Sequence, residues 1–332
     1  EIIGKDIAGK LHTARSRNDQ VITDVKLLLK TEYKNLKTAL VDLLKNIIKL
    51  AEKNKNIIMP GFTHLQNAQP IPLSHHLLAY FYKFKRDLTK LLMFEIFADE
   101  CPLGACALAG TSHNIDRNYT AKLLGFEKPV DNSIDAVSDR DFLLDFLYLN
   151  SLIMLHLSNL SEELIIWSSQ PFAFITISDD FTTGSSIMPN KKNPDVCELT
   201  RGKSARVIAN LNAMFILLKA LPLAYNRDLQ DDKKILFDTL EINVIAIKVY
   251  TAMLSAITFN QNNILYSLKH GYLEATDIAD YLTRKNVAFR TAHHISGEIV
   301  KYAISKNKTL DELTIEEYRK FSDKFEQDIF SA

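Results

Sequence analysis

From Asp139 to Trp167 the chain has neither glycine nor proline, and between Phe142 and Leu157 apolar residues occupy nearly every side of a helical wheel. A helix that is apolar all round must be buried on all sides. Asn150, Ser151 and His156 interrupt the stretch, so it falls short of the roughly 18 apolar residues that a membrane span requires. Its burial has to come from other protein.

The rest of the sequence supplies partners for it. Val21, Val25, Leu28, Leu29, Leu36, Leu40, Leu43, Leu44, Ile47 and Ile48 recur at steps of three and four, which predicts a long amphipathic helix over about 21–54. A second helix, over about 73–97, sets Leu77, Phe81, Phe84, Leu88, Leu91 and Leu92 on one face. The apolar stretch is the third. A fourth runs from Pro194 to Leu221 and a fifth from Lys233 to about Leu268, with Leu236, Leu240, Val244, Ile247 and Leu254 in register. Past Gly271 the helices shorten, and Thr309 to Glu312 and Thr314 to Glu317 both have capping-box spacing. No segment gives several alternating strands, and no fixed-period repeat is present. The expected fold is all-α. Five long helices carry more apolar surface than a lone bundle of this length covers, which predicts helices packed between subunits.

Forty Lys and Arg balance forty Asp and Glu, which argues against a general nucleic-acid binder. Cys101, Cys106 and Cys197 cannot form a complete disulfide set and lack paired metal-ligand spacing, so a reducing compartment is expected. No secretory leader opens the chain. The expectation is a soluble, cytoplasmic protein. The chain begins without Met, nearly on top of a polar motif, and so reads as a fragment.

The chemistry is carried by the polar stretches between helices. Gly184-Ser185-Ser186-Ile187-Met188-Pro189-Asn190-Lys191-Lys192-Asn193-Pro194-Asp195 joins a flexible, amide-rich loop to two lysines, with Asn193-Pro194 as the cap and first turn of the next helix: an anion site. No Gly-x-Ser-x-Gly elbow after a strand is present, so acyl-transfer hydrolysis is the weaker reading of Ser185. With Lys191 and Asn193 close by, Ser185 suits proton removal from a carbon next to a carboxylate, provided cationic and amide donors hold the resulting dianion. The high intrinsic pKa of a serine requires an electropositive, water-poor site, and the Phe172–Thr183 segment reads as a lid that would supply it.

His64, in the polar turn Thr63–Pro70, is the natural partner for proton movement, and Glu198, one turn inside the helix, could orient it. Taken alone, each of these residues has a plainer reading. The His12–Gln20 cluster reads as a solvated loop, His64 as a hydrogen-bonded surface residue, Glu198 as an exposed first-turn acid, and Lys191 and Lys192 as surface charge. The pairs His75-His76 and His293-His294 diverge on a helix and make no metal site. Pro102 to Thr111, rich in small residues, is either close backbone packing or a ligand-approach loop; it lacks the lysine and strand of a phosphate loop.

Set together, these stretches form a pattern. Gly184 to Asn193 resembles the signature loop of the fumarase/aspartase superfamily of lyases, and its continuation through Pro194 and Asp195 resembles the argininosuccinate lyase family in particular. Four further blocks are similar to that family: Ala8 to Asp19, Gly61 to Gln66, Asp135 to Asp141, and Tyr225 to Lys233. The resemblance runs almost end to end and overrides the plainer readings.

It implies a homotetramer with a central helical bundle and active sites shared among three subunits. It places Ser185 as catalytic base, His64 as acid/base histidine, Glu198 as its partner and Lys191 beside the developing charge. Ser16, Asn18, Thr63, Lys191 and Asn193 are implied at the succinyl carboxylates, Arg17 as a further substrate-binding residue, and Tyr225, Gln230 and Lys233 at the arginine part. The implied reaction is reversible elimination of argininosuccinate to arginine and fumarate, with neither cofactor nor metal.

By the same resemblance residues 1–13 are the remnant of an N-terminal domain, 14–268 the long-helix domain, and 269–332 an incomplete C-terminal helical domain. Family members have further sequence at both ends, and Cys106 stands where they usually carry glycine. Two alternatives stay open. One is another fumarate-releasing lyase, which the Tyr225 block speaks against; the other is a catalytically silent, crystallin-like protein, against which Ser185, His64 and Lys191 weigh.

Overall fold

The computed structural model of the chain describes residues 4–331, so the first three residues of the 1–13 segment and Ala332 lie outside it. In chain order, α1 (Lys5–Lys10) and α2 (Arg17–Lys53) lead to a β-hairpin of β1 (Ile58–Thr63) and β2 (Gln66–Pro72), then α3 (Leu73–Phe97). Short elements follow: β3 (Glu100–Cys101), α4 (Arg117–Leu123), β4 (Lys128–Pro129) and α5 (Ser133–Ser138). After α6 (Asp141–Ser168) come β5 (Ile175–Ile177), the two-residue strands β6 (Thr183–Gly184) and β7 (Lys192–Asn193), and α7 (Asp195–Leu218). The chain continues with α8 (Asp232–Ser255), β8 (Ile257–Phe259), α9 (Gln261–His270), α10 (Ala275–Arg284), α11 (Phe289–Ser305) and α12 (Ile315–Arg319). Among the described residues every sheet is a two-stranded ribbon, so the all-α expectation holds.

The chain divides into two compact units. One comprises Glu1–Ile47, Tyr80–Ile166 and Ile177–Ala256; the other comprises Ile48–Ala79, Trp167–Thr176 and Ile257–Ala332.

In the first unit, α2 turns Val25, Leu29, Leu36, Leu40, Leu43 and Leu44 inward as predicted, with Ile22 buried in place of Val21, which is half-buried. The helix starts earlier than its apolar periodicity because Ser16 caps it: the Asn18 amide donates to Ser16 Oγ at 3.2 Å, and the Ser16 amide donates to Asp19 Oδ1 at 3.0 Å. This reciprocal cap satisfies amides that the helix itself leaves open. On α6 the polar residues that interrupt the apolar run are each bonded. Asn150 Nδ2 donates to Phe146 O at 2.7 Å, Ser151 Oγ to Val207 O at 3.4 Å, and His156 Nδ1 pairs with buried Asp87 at 2.6 Å.

Two expectations about α6 change. Its 28 residues are, by length and composition, sufficient to cross a membrane, and 56% of its most apolar window is buried within the fold. Nor is it buried on all sides, since Tyr148 and Leu155 are 46% and 42% exposed.

The expected fifth helix is two elements. α8 ends at Ser255, β8 intervenes, and α9 begins at Gln261. No glycine or proline marks the break; tertiary bonding makes it. The Asn260 amide donates to Phe174 O at 2.7 Å and its Nδ2 to Ala173 O at 2.9 Å. The same contacts narrow the lid expectation: Phe174, Ile175 and Ile177 are buried, whereas Asp179, Asp180 and Thr183 are exposed.

The second unit holds the β1–β2 hairpin, which replaces the expected polar turn. Pro60, Gly61, Pro70 and Pro72 read as breakers, but a two-stranded ribbon tolerates proline because each strand keeps an open edge. Gly61 sits at the irregularity between Pro60 and Phe62, where a Cβ would lie 2.9 Å from Gln69 O. The predicted Thr309–Glu312 and Thr314–Glu317 capping boxes are both formed, and with Lys308 the Thr314 amide holds the Glu317 carboxyl down at about 2. Behind them Ile278, Leu282, Ile299, Leu310, Tyr318 and Phe325 form a core of their own.

Candidate active site

The loop from Ser185 to Lys191 is the tip of a second hairpin. Thr183 pairs with Asn193 and Gly184 with Lys192. The Thr183 hydroxyl also bonds the Asp195 carboxylate, and Lys192 pairs with Asp179, so both feet of the ribbon are tied. Asn193 is therefore a strand residue rather than the helix cap. Its backbone is committed to the ribbon, Pro194 takes the cap position, and the first helical bonds run from the Cys197 and Glu198 amides to Pro194 O at 2.9 and 3.1 Å.

At the tip the chain folds back on Ser185. The amides of Ile187 and Met188 both donate to Ser185 Oγ, at 3.3 and 3.1 Å. Two donors on one hydroxyl oxygen favour its deprotonated form, as hydrogen bonds to a charged state do in general. The ribbon also separates two lysines that sequence treats alike. Lys192 is held by Asp179, whereas no hydrogen bond or ion pair among the described residues engages Lys191 Nζ. Ile187, 85% exposed, and Met188 form an apolar tip beside them. Glu198 is exposed in the first turn of α7.

Ser16, Arg17 and Asn18 stand at the start of α2, where Asn18 Nδ2 donates to Ala107 O at 3.1 Å. The Tyr225–Lys233 block enters α8 through a 3-10 turn, Arg227–Gln230. It is docked at two points. The Ala224 amide donates to Ser138 Oγ at 2.8 Å, and Arg140 Nε donates to Asp232 Oδ2 at 2.6 Å, with both ion-pair side chains 1% exposed. Asp232 also pairs with Lys233, whose Nζ donates to Leu229 O at 2.9 Å. Tyr225 is half-buried and Gln230 exposed.

Thr63 and His64 lie in the second unit, at the turn of the β1–β2 hairpin. His64 and Leu65 have φ of 55° and 57°, the left-handed pair that a two-residue hairpin turn demands and that non-glycine residues seldom adopt. Phe62 anchors the strand against Phe172 and Phe174, with ring centroids 5.7 and 6.3 Å away.

Within the first unit, no hydrogen bond or ion pair among the described residues joins the Ser16–Asn18 start, the Ser185 loop and the Tyr225 block to one another. Each is held by its own supports. Burial raises the thiols of Cys101 and Cys106 and pushes Cys197 up to about 11, so none of the three is a ready nucleophile. Sequence reasoning gave no roles to the supports Asp19, Arg140 and Asp232. The Ser-x-x-Asp spacing of a helix cap was a signal for Asp19; nothing in spacing links Arg140 to a residue 92 positions away.

The long-helix fold is shared with solved lyases. Residues 1–209 match the family described as Lyase, and the chain is similar to EDDS lyase solved with formate, at a TM-score of 0.88, 26% identity, and coverage of 95% of this chain and 63% of that one. A class II fumarase from Schistosoma mansoni shares the fold at a TM-score of 0.77 and 19% identity, over 94% of this chain and 70% of that one. Residues 272–332 match the family described as Argininosuccinate lyase C-terminal. The argininosuccinate lyase of Clostridium kluyveri is 50% identical over 99% of this chain and 75% of its own length, and that of Caldanaerobacter subterraneus is 50% identical over 98% and 74%. The chain belongs to the argininosuccinate lyase family.

Proposed function

We propose that this chain catalyses the reversible elimination of argininosuccinate to L-arginine and fumarate. The observation that carries the reading is half-identity to argininosuccinate lyases along nearly the whole chain, joined to a Ser185 oxygen that two amides already hold. Ser185 takes the proton from the succinyl Cβ. The electron pair left behind is delocalised into the neighbouring carboxylate, where Lys191 and the loop amides oppose the growing negative charge. The Cα–N bond then breaks, and the departing guanidinium nitrogen is protonated with His64, oriented by Glu198, relaying the proton. Ser16, Asn18, Thr63, Lys191 and Asn193 hold the succinyl carboxylates, Arg17 also contacts substrate, and Tyr225, Gln230 and Lys233 hold the arginine end. No cofactor or metal enters this scheme.

The active enzyme is a homotetramer in this reading, with a central helical bundle and sites drawn from several copies. Supporting it, Tyr148 and Leu155 on α6, Leu199, Phe215 and Ile216 on α7, and Phe237 and Ile245 on α8 are apolar and exposed in the single chain. Residues 14–268 then form the long-helix domain, 269–332 the C-terminal helical domain, and 1–13 the remnant of an N-terminal one. Three free cysteines fit a cytoplasmic enzyme, and charge balance fits one with neither nucleic acid nor membrane as partner.

The test is to offer the full-length protein argininosuccinate, adenylosuccinate, malate and aspartate and to follow fumarate. Only argininosuccinate is expected to turn over at an appreciable rate; preference for another of the four would overturn the assignment. His64→Asn is expected to lower kcat by about 10²-fold, in the range that general acid–base groups contribute, and to flatten one limb of the pH–rate profile. A profile of unchanged form would exclude a proton role for His64.

A further inference from the structure

We infer that Asp19 is a positioning residue that welds Ser16 and Asn18 to the Gly104–Ala107 loop as one carboxylate-binding wall. The inference rests on the roles given to Ser16 and Asn18 above. Asp19 is fully buried, and no cationic side chain pairs with it among the described residues. Its carboxylate is instead held by backbone amides from two distant stretches. The Ser16 amide donates to Oδ1 at 3.0 Å, and the amides of Gly104 and Cys106 donate to Oδ2 at 2.9 and 2.8 Å. A buried carboxyl group satisfied by three amides is a structural tie.

The loop it holds is strained into place. Gly104 has φ +99°, with room for a Cβ denied by Arg117 Cγ at 2.9 Å, and Cys106 has φ +54°, a conformation side chains rarely adopt. Cys106 Sγ donates to Ala14 O at 3.3 Å, closing the contact from the other side. The consequence falls on the two residues next to Asp19. Ser16 Oγ accepts from the Asn18 amide, leaving its own O–H to donate, and Asn18 commits one N–H to Ala107 O, leaving the other. Two donors two residues apart are thereby presented together, on a backbone whose position the buried carboxylate sets.

Asn at position 19 keeps the volume but has a single acceptor oxygen. Turned one way, its NH₂ opposes the Ser16 amide; turned the other way, it opposes Gly104 and Cys106. Either orientation loosens one side of the wall.

In the full-length protein, Asp19→Asn is expected to raise KM for argininosuccinate and the inhibition constant of succinate together, each by at least about tenfold, with kcat changed much less. A merely structural role predicts a smaller active fraction with both constants unchanged, and that result would overturn the inference. If the variant does not fold, amide exchange of the wild-type protein decides. Gly104 and Cys106 are expected to exchange at least about 10²-fold more slowly than Leu108, on the exposed part of the same loop; equal rates would overturn the tie. Full turnover by a Ser185 variant would sink the lyase reading while leaving the exchange result standing.

Discussion

Ser185→Ala in the full-length protein is expected to lower kcat by about 10³-fold or more while KM for argininosuccinate stays within a few-fold, because removal of a general base falls on the chemical step. The geometry explains why so small a deletion has so large an effect. Ser185 Oγ is the acceptor for the Ile187 and Met188 amides, and alanine removes the proton acceptor together with the group that folds the tip back. The feet of the ribbon and the start of α2, where Ser16 and Asn18 are proposed to hold the carboxylates, are untouched, so substrate is expected still to bind. Steady-state fumarate release together with a binding measurement on the variant checks both halves. Near-normal turnover would remove Ser185 from the chemistry.

The second large effect is on stability. Asp232→Asn is expected to cost roughly 3–5 kcal/mol, the range for breaking one partner out of a buried ion pair. Arg140 is 2% exposed, and its remaining bonds are to the carbonyls of Val137, Ser138 and Asp139, none of which neutralises its charge; its Nη2 has no partner among the described residues. The same substitution removes the counter-charge of Lys233. Loss of stability should therefore come with weaker binding at the arginine end. A urea titration of the full-length protein, with KM measured well below the midpoint, reads both. An unchanged midpoint would show that the pair contributes nothing net. Replacing Arg140 and Asp232 together by apolar residues of similar volume should recover much of the stability but not the binding.

What could be read from the sequence follows the range of the forces involved. α2 and α3 were legible because apolar residues at helical spacing repeat over many turns, and α3 begins and ends where the pattern does. Even there, the pattern missed that Asp87, rather than Leu88, turns inward on α3 to meet His156. The break after Ser255 was invisible, since what stops the helix is Asn260 bonding to carbonyls at 173 and 174. The β1–β2 hairpin was masked by its own prolines. At the site, the motif residues were legible through their resemblance to a family, but their supports were not. Lys191 and Lys192 became distinct only when Asp179 was found beside one of them. Asp19 and Arg140 act through partners on the order of ninety residues away, a separation at which loop-closure entropy varies too slowly with length for spacing to carry a signal.

The ribbon under the Ser185 loop shortens the segment that substrate must order. Ordering a free segment costs about 1–2 kcal/mol of conformational entropy per residue, and a twelve-residue loop closing over a substrate would face that cost along its length. Here Thr183, Gly184, Lys192 and Asn193 are already paired and their ends tied to Asp195 and Asp179, so only the stretch 185–191 remains to be ordered. The share of the entropic penalty carried by those four residues is thus met during folding, before substrate arrives. The binding energy of the two carboxylates is left to act on the proton and the C–N bond.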